Sequence, residues 1–126
     1  MTPDACITNF LREADRLGVA VRWVKEGMTG RDAAYVAPPG IPGEIHLFDA
    51  TPRPTASALC TLLSHEMVHV LQHWKGNLRA VPPLGWPVDG APQGRILSRQ
   101  QREAYTAQEH PEMVLDAVRA LRPVKP

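Results

Sequence analysis

A long helix predicted over residues 54–75 constrains the fold more than any other feature of the chain. The proline-rich residues 49–57 precede it, Lys75 lies in its last turn, and Gly76 follows as a C-terminal cap. At about 100° per residue, one broad arc of this helix is entirely apolar. The arc comprises Ala56, Leu59, Cys60, Leu63, Met67, Val70, Leu71 and Trp74. We therefore expect the helix to pack this arc into the core.

Two histidines and a glutamate lie on the side of the helix away from the apolar arc. His65 and His69 are about 6 Å apart along the helix axis, so both imidazoles can reach one tetrahedral zinc ion at about 2.0–2.1 Å. Glu66 is rotated by about 100° from His65, which places it beside the metal. The pattern predicts that Glu66 takes a proton from a zinc-bound water and later passes it to a leaving amine.

His73 continues the four-residue spacing of the histidines but is predicted not to bind the metal. It lies about 12 Å along the helix axis from His65, so a straight helix cannot bring all three imidazoles to one ion. The extended metzincin motif would require glycine and histidine where this chain has Gln72 and Lys75. We expect His73 to be a neighbour of the site or a surface residue.

A third metal ligand is expected downstream, because a catalytic zinc ion usually has three protein ligands and one open position. The candidates are Asp89, Glu103, Glu109, His110 and Glu112. Glu103 is favoured because Ala104 and Ala107, in the same predicted helix, would allow a close approach to the histidine helix. The alternative for Glu103 is a solvent-exposed acid, which is common on helix surfaces.

The remaining segments predict an α+β fold in a single domain over residues 1–126. The other predicted elements are a helix over 4–17, strands over 19–24, 32–37 and 44–49, and helices over 97–109 and 111–121. Three strands in succession predict a small, mostly antiparallel sheet. Residues 76–95 contain four prolines and four glycines, so they are expected to form a long irregular loop.

Composition argues against several classes of protein. A net charge of +1 gives no electrostatic basis for binding nucleic acid or an anionic membrane. The N-terminus lacks the apolar core of a secretory signal, and no run approaches the roughly 18 apolar residues of a membrane span. We therefore expect a cytoplasmic location. In that reducing compartment Cys6 and Cys60 are expected to be buried thiols, although the sequence leaves a single bridge between them open.

The segment HEMVH, followed by a helix with the pair Glu-Ala, resembles the gluzincin metallopeptidases. The nearest likenesses are small minimal gluzincins, including ImmA/IrrE-like proteins, and the resemblance covers residues 44–108. It implies a minimal zincin-like fold in which EIHLFD (44–49) belongs to the core sheet and an edge strand lines the substrate cleft. It also implies one zinc ion with the ligands His65, His69 and Glu103, and Glu66 as the catalytic base.

A peptidase of this type also needs a hydrogen-bond donor for the tetrahedral oxyanion. The candidates are His46, His73, Tyr105 and His110. Tyr105 lies about 200° from Glu103 around their helix, so with Glu103 as ligand it is expected to pack away from the metal. His110, at a helix junction, is slightly favoured.

Two functions of different classes are compatible with these patterns. The first is a zinc-dependent peptidase that hydrolyses a peptide or protein substrate bound along an edge strand. The second is a zincin-fold regulatory or peptide-binding module that keeps the metal but has little or no turnover. A closed structural zinc site is disfavoured, because it would usually have four Cys or His ligands and would leave Glu66 without a role.

Overall fold

The computed structural model describes residues 1–25, 32–49, 52–89 and 97–124. The elements within them are α1 (Pro3–Leu17), β1 (Ala20–Lys25), β2 (Ala33–Val36), β3 (Glu44–Asp49), α2 (Ala56–Lys75), α3 (Arg99–Ala107) and α4 (Pro111–Arg119). This order confirms the predicted α+β class, with an N-terminal helix, a three-stranded sheet, a long helix and C-terminal helices. Residues 90–95 of the predicted irregular loop lie outside the described residues.

The sheet is mixed rather than mostly antiparallel. Its strand order is β1-β3-β2, so β3 is central. β2 pairs with β3 in antiparallel orientation, whereas β1 pairs with the other edge of β3 in parallel orientation. Successive strands β1 and β2 therefore do not pair with each other. The EIHLFD segment is the middle of the sheet. The edge strand β2 contacts the histidine helix α2.

The central position of β3 explains its alternating burial. Ile45 and Leu47 point into the core and are almost completely buried, with 0% and 3% of their surfaces exposed. Their neighbours in the core come from all four helices, including Phe10, Leu63, Ala104 and Val118. The sheet thus covers one side of a helical core, and α2 lies within that core.

The helix α2 is buried on all sides along residues 63–73. It contacts α1, α3, α4 and β2. The sequence predicted one buried face and one open face, but β2 and α3 also cover the side that carries the histidines. The polar side chains on that side are therefore enclosed, and they need partners inside the protein.

Cys6 and Cys60 form a disulfide, so the expectation of two buried thiols is wrong. The bond joins the first turns of α1 to the first half of α2, where the two Cα atoms are 5.7 Å apart. Disulfides are typical of oxidising compartments, so this bond weighs against the reducing environment on which the thiol prediction rested. The cytoplasmic location stays a prediction. Among the described helices, none has the length and apolar character needed to cross a membrane.

Reduction of this disulfide is expected to destabilise the protein by about 4 kcal/mol, because the bond closes a long loop in the unfolded chain. The two cysteines are 54 residues apart in sequence. The measurement is the urea midpoint of unfolding with and without a reductant. A Cys6→Ala, Cys60→Ala double variant is the control, since the reductant should not change its midpoint. An equal midpoint for oxidised and reduced wild type would contradict the prediction.

Candidate metal centre

His65, Glu66 and His69 form a buried cluster on the side of α2 that faces β2 and α3. Their side chains are 8%, 5% and 9% exposed. One potential ligand atom from each lies within 4.8 Å of those of the other two. The cluster can therefore hold a metal ion, as the H-E-x-x-H spacing predicted.

A hydrogen-bond network fixes which nitrogen of His69 faces the cluster. Nδ1 of His69 lies 2.7 Å from Oε1 of Gln72. The amide nitrogen of Gln72 donates to the carbonyl oxygen of Gln100 at 3.0 Å and to Oε1 of Glu103 at 3.1 Å. Because both of these atoms can only accept, the Gln72 oxygen must face His69. His69 therefore donates from Nδ1, and in its neutral form it has a lone pair on Nε2.

His65 is held in the same way by Gln108, which directly follows α3. Its Nδ1 lies 2.8 Å from Oε1 of Gln108, whose amide nitrogen donates to Glu109 at 3.3 Å. Both histidines thus use Nδ1 for an anchoring hydrogen bond and present Nε2 to the cluster. Metal-bound histidines almost always have such an outer partner. Sequence reasoning did not identify Gln72 or Gln108, although Gln72 lies on the same side of α2 as the histidines.

Burial also keeps the two histidines neutral. It lowers the pKa of His65 to about 4; nearby His69 lowers that pKa further, and the hydrogen bonds to glutamines oppose the shift. The pKa of His69 is lowered from its ordinary value, again chiefly by burial. Neutral imidazole is the form that binds metal, so the environment favours the metal-binding form.

In the absence of metal, the protein is expected to lose stability as the pH falls from about 6.5 to about 4. In this window the unfolded chain binds a proton at His65, whereas folded His65, with a pKa of about 4, does not. Protonation therefore favours unfolding, and above the window the contribution disappears because His65 is neutral in both states. The measurement is the urea midpoint at several pH values in the presence of a chelator. His65→Asn should have a shallower dependence, and an equally steep one would contradict the prediction.

Glu103, the predicted third ligand, is completely buried but contacts a loop rather than the cluster. Its Oε1 accepts hydrogen bonds from the backbone nitrogen of Leu84 at 2.7 Å and from Gln72. Its Oε2 accepts from the backbone nitrogens of Gly85 and Trp86 at 2.7 and 2.9 Å. Burial raises the pKa of Glu103, but these hydrogen bonds outweigh burial and lower it overall. Its connection to His69 runs through Gln72.

Two of the predicted oxyanion donors, Tyr105 and His110, occupy different places. The ring of Tyr105 packs edge-on against His65, with centroids 4.6 Å apart, and Tyr105 lines the cavity above the cluster. This differs from the expectation that Tyr105 packs away from the metal. His110 is exposed at the start of α4 and is not among the residues that line the cavity.

His73 is completely buried, and it contacts backbone carbonyls rather than the cluster. Its Nδ1 lies 3.1 Å from the oxygen of Ala80, and its Nε2 lies 2.8 Å from the oxygen of Ile41. It thus connects the loop after α2 to the loop before β3. Its surroundings indicate a structural role, not a place on the surface.

A cavity of about 430 Å³ lies over the cluster. The edge strand β2 forms one wall with Ala33, Ala34 and Tyr35, and α3 contributes Gln101 and Tyr105 to the lining. The Tyr35 hydroxyl donates to the carbonyl oxygen of Pro42, and burial raises its pKa.

The chain matches no protein-family model, no curated protein and no solved structure.

Proposed function

We propose that this chain is a zinc-dependent metallopeptidase with the H-E-x-x-H motif on α2. The observation that carries the proposal is the pair of Nε2 atoms of His65 and His69 beside Glu66, at the base of a cavity with a strand along one wall. Two imidazoles suit zinc better than they suit calcium or magnesium, which prefer oxygen ligands. When bound, one zinc ion would polarise the scissile carbonyl and make water acidic.

Glu66 is the proposed general base. Its carboxylate is part of the buried cluster and lines the cavity, so it can reach a water molecule that attacks a peptide bound there. It accepts a proton from that water and donates a proton to the amine that leaves. A carboxylate next to two neutral imidazoles can perform both steps without a second acid.

The edge strand β2 is the proposed binding surface for the substrate backbone. Within the described part of the chain, β2 pairs only with β3, and its Ala33 and Ala34 line the cavity. A peptide can add to such an edge as a further strand, and the two alanines leave room for substrate side chains. This arrangement would hold the scissile bond over the cluster.

Tyr105 is the proposed oxyanion donor. Its ring is fixed against His65, and it lines the same cavity. The exposed His110 lies at the start of another helix, so its position favours Tyr105. A hydroxyl that strengthens its hydrogen bond as negative charge develops on the carbonyl oxygen stabilises the transition state.

Removal of the metal is expected to abolish hydrolysis and leave the protein folded. Purified protein should contain one zinc ion per chain and should cleave an unfolded protein substrate. Treatment with a strong chelator followed by gel filtration should remove both the zinc and the activity, and added Zn²⁺ should restore both. Full activity in protein verified to be metal-free would contradict the proposal. Bound zinc without hydrolysis would support the regulatory module instead.

A further inference from the structure

Gln101 contacts both histidines of the cluster. Its Oε1 lies 3.0 Å from Nε2 of His65 and 3.2 Å from Nε2 of His69. It reaches this position from the first turn of α3, where Ser98 caps the helix by accepting a hydrogen bond from the Gln101 backbone nitrogen at 3.2 Å. One amide oxygen thus faces both of the nitrogen atoms that are available for metal binding.

With Oε1 of Gln101 facing both histidines, the proton inventory leaves a cation as the group that fits between the three atoms. Each neutral imidazole has a single N–H, and the Nδ1 contacts to Gln72 and Gln108 use it. Both Nε2 atoms therefore direct lone pairs toward the Gln101 oxygen, which also offers lone pairs. Three lone-pair donors that converge without a proton form the ligand set of a metal ion.

The separations within this set also fit zinc. A tetrahedral ion with bonds of about 2.05 Å has ligand atoms about 3.3 Å apart along each edge. The two measured separations, 3.0 and 3.2 Å, are close to that length. In the opposite orientation of the Gln101 amide, its NH₂ group can donate to both Nε2 atoms. In that case Gln101 fills the site and binds no metal.

Glu103 is poorly placed to be a ligand. Around α3 it lies about 200° from Gln101, so the two side chains leave the helix on opposite sides. An ionised carboxylate offers about four lone-pair sites, and Glu103 accepts four hydrogen bonds, from Gln72, Leu84, Gly85 and Trp86. Binding a metal would require it to release the loop formed by residues 84–86.

We propose that Gln101 supplies the third protein ligand through Oε1 and that Glu103 is a positioning residue. Glu103 orients His69 through Gln72, and it holds the loop of residues 84–86 against α3. The inference rests on the proposed metal site. It changes the ligand set from two histidines and a glutamate to two histidines and a glutamine, so all three ligands are neutral.

Zinc affinity of single variants tests this assignment. Competition with a chromogenic chelator gives the affinity, and the visible absorption of Co²⁺-substituted protein reports coordination. Gln101→Ala should lose more than about 100-fold in zinc affinity, which exceeds the loss typical of an outer partner. Its Co²⁺ spectrum should also change. Gln101→Glu should retain tight binding, because a carboxylate is also a zinc ligand. Its tight binding would also show that the site still folds when position 101 is altered.

The matched variants separate ligand from positioning residue. Glu103→Gln should lose about 10- to 100-fold in zinc affinity, as expected for an outer partner, and should keep the wild-type Co²⁺ spectrum. Gln100→Ala is the control, because within the described part of the chain the Gln100 side chain hydrogen-bonds only to the backbone oxygen of Val81. Its affinity should equal that of wild type. Thermal unfolding of every variant checks that the fold is retained.

Three outcomes would overturn the assignment. If Gln101→Ala binds zinc as tightly as wild type or more tightly, Gln101 only fills the site. If Glu103→Gln loses more affinity than Gln101→Ala and changes the Co²⁺ spectrum, Glu103 is the ligand. If wild type binds no metal, this inference and the peptidase proposal both fail. Wild type that binds metal without hydrolysis would overturn only the peptidase proposal, because the readouts here do not require catalysis.

Discussion

Glu66→Gln is expected to lower kcat for peptide hydrolysis by about 10³-fold while zinc content and fold remain those of wild type. The substitution preserves the size of a side chain that is 95% buried, since only 5% of it is exposed. It replaces a carboxylate that can accept a proton with an amide that cannot. The proposed ligands are untouched, so metal binding should persist. The measurements are steady-state hydrolysis and metal analysis of the same preparation.

Glu13→Gln provides a matched control for this experiment. Glu13 is also buried, with 8% exposure, but it lies on α1 and accepts a hydrogen bond from Arg16. The same chemical change at this distant site should leave hydrolysis unchanged. If Glu66→Gln retained activity within about threefold of wild type, Glu66 would not be the base, because general-base catalysis usually contributes at least about 10²-fold.

The helices and strands could be predicted from the sequence because local residues set their boundaries. Helix α2 begins after Thr55, whose side chain accepts a hydrogen bond from the backbone nitrogen of Ala58 at 3.2 Å. It ends before Gly76, as predicted, but glycine is required there by the close approach of the loop that follows, not by a left-handed cap. A Cβ at position 76 would come within 2.6 Å of the Ala80 carbonyl oxygen, whereas the backbone conformation itself is ordinary for any residue.

The strand order and the disulfide could not be predicted because both depend on distant pairings. β1 has the alternation of a half-buried strand, but nothing in that pattern shows whether it pairs with β2 or with β3. The disulfide joins residues separated by 54 positions, and two cysteines alone do not reveal whether their helices are adjacent. The thiol prediction for Cys6 and Cys60 rested on the expected compartment and not on the distance between the two residues, and it was wrong.

Local spacing predicted the cluster of His65, Glu66 and His69 on α2. It did not show which side of α3 faces that cluster. His65, Glu66 and His69 lie on one helix, so the geometry of that helix brings them together. Residues 101, 105 and 108 are spaced as i, i+4 and i+7, and all three line the cavity. The small residues near Glu103 favoured it as the third ligand, but its side of α3 faces the loop of residues 84–86. With Glu103 as ligand, Tyr105 was expected to pack away from the metal, whereas its ring packs against His65.

Glu103→Ala is expected to destabilise the protein by about 3 to 5 kcal/mol, a large effect for one substitution. Removal of the carboxylate leaves the backbone nitrogens of Leu84, Gly85 and Trp86 without their acceptor. An unsatisfied buried donor costs about 1–3 kcal/mol. Leu84 and Trp86 are half-buried and Gly85 is exposed, so part of that cost is recovered when the loop moves toward water. The cavity left by a side chain with 0% exposure adds to the loss.

Urea unfolding at neutral pH measures this destabilisation, and Asp116→Ala is the control. Asp116 is an exposed acid on α4, so its replacement should change stability by no more than about 0.5 kcal/mol. The pKa of folded Glu103 is lowered, so its stabilising contribution is complete above the unfolded value of about 4.3 and is lost as the pH falls below it. The difference between wild type and Glu103→Ala should therefore shrink in acid. The stability difference between wild type and Glu103→Ala could instead stay constant down to pH values below the folded pKa of Glu103. That result would show that packing alone accounts for the destabilisation and that the ionised carboxylate does not hold the loop.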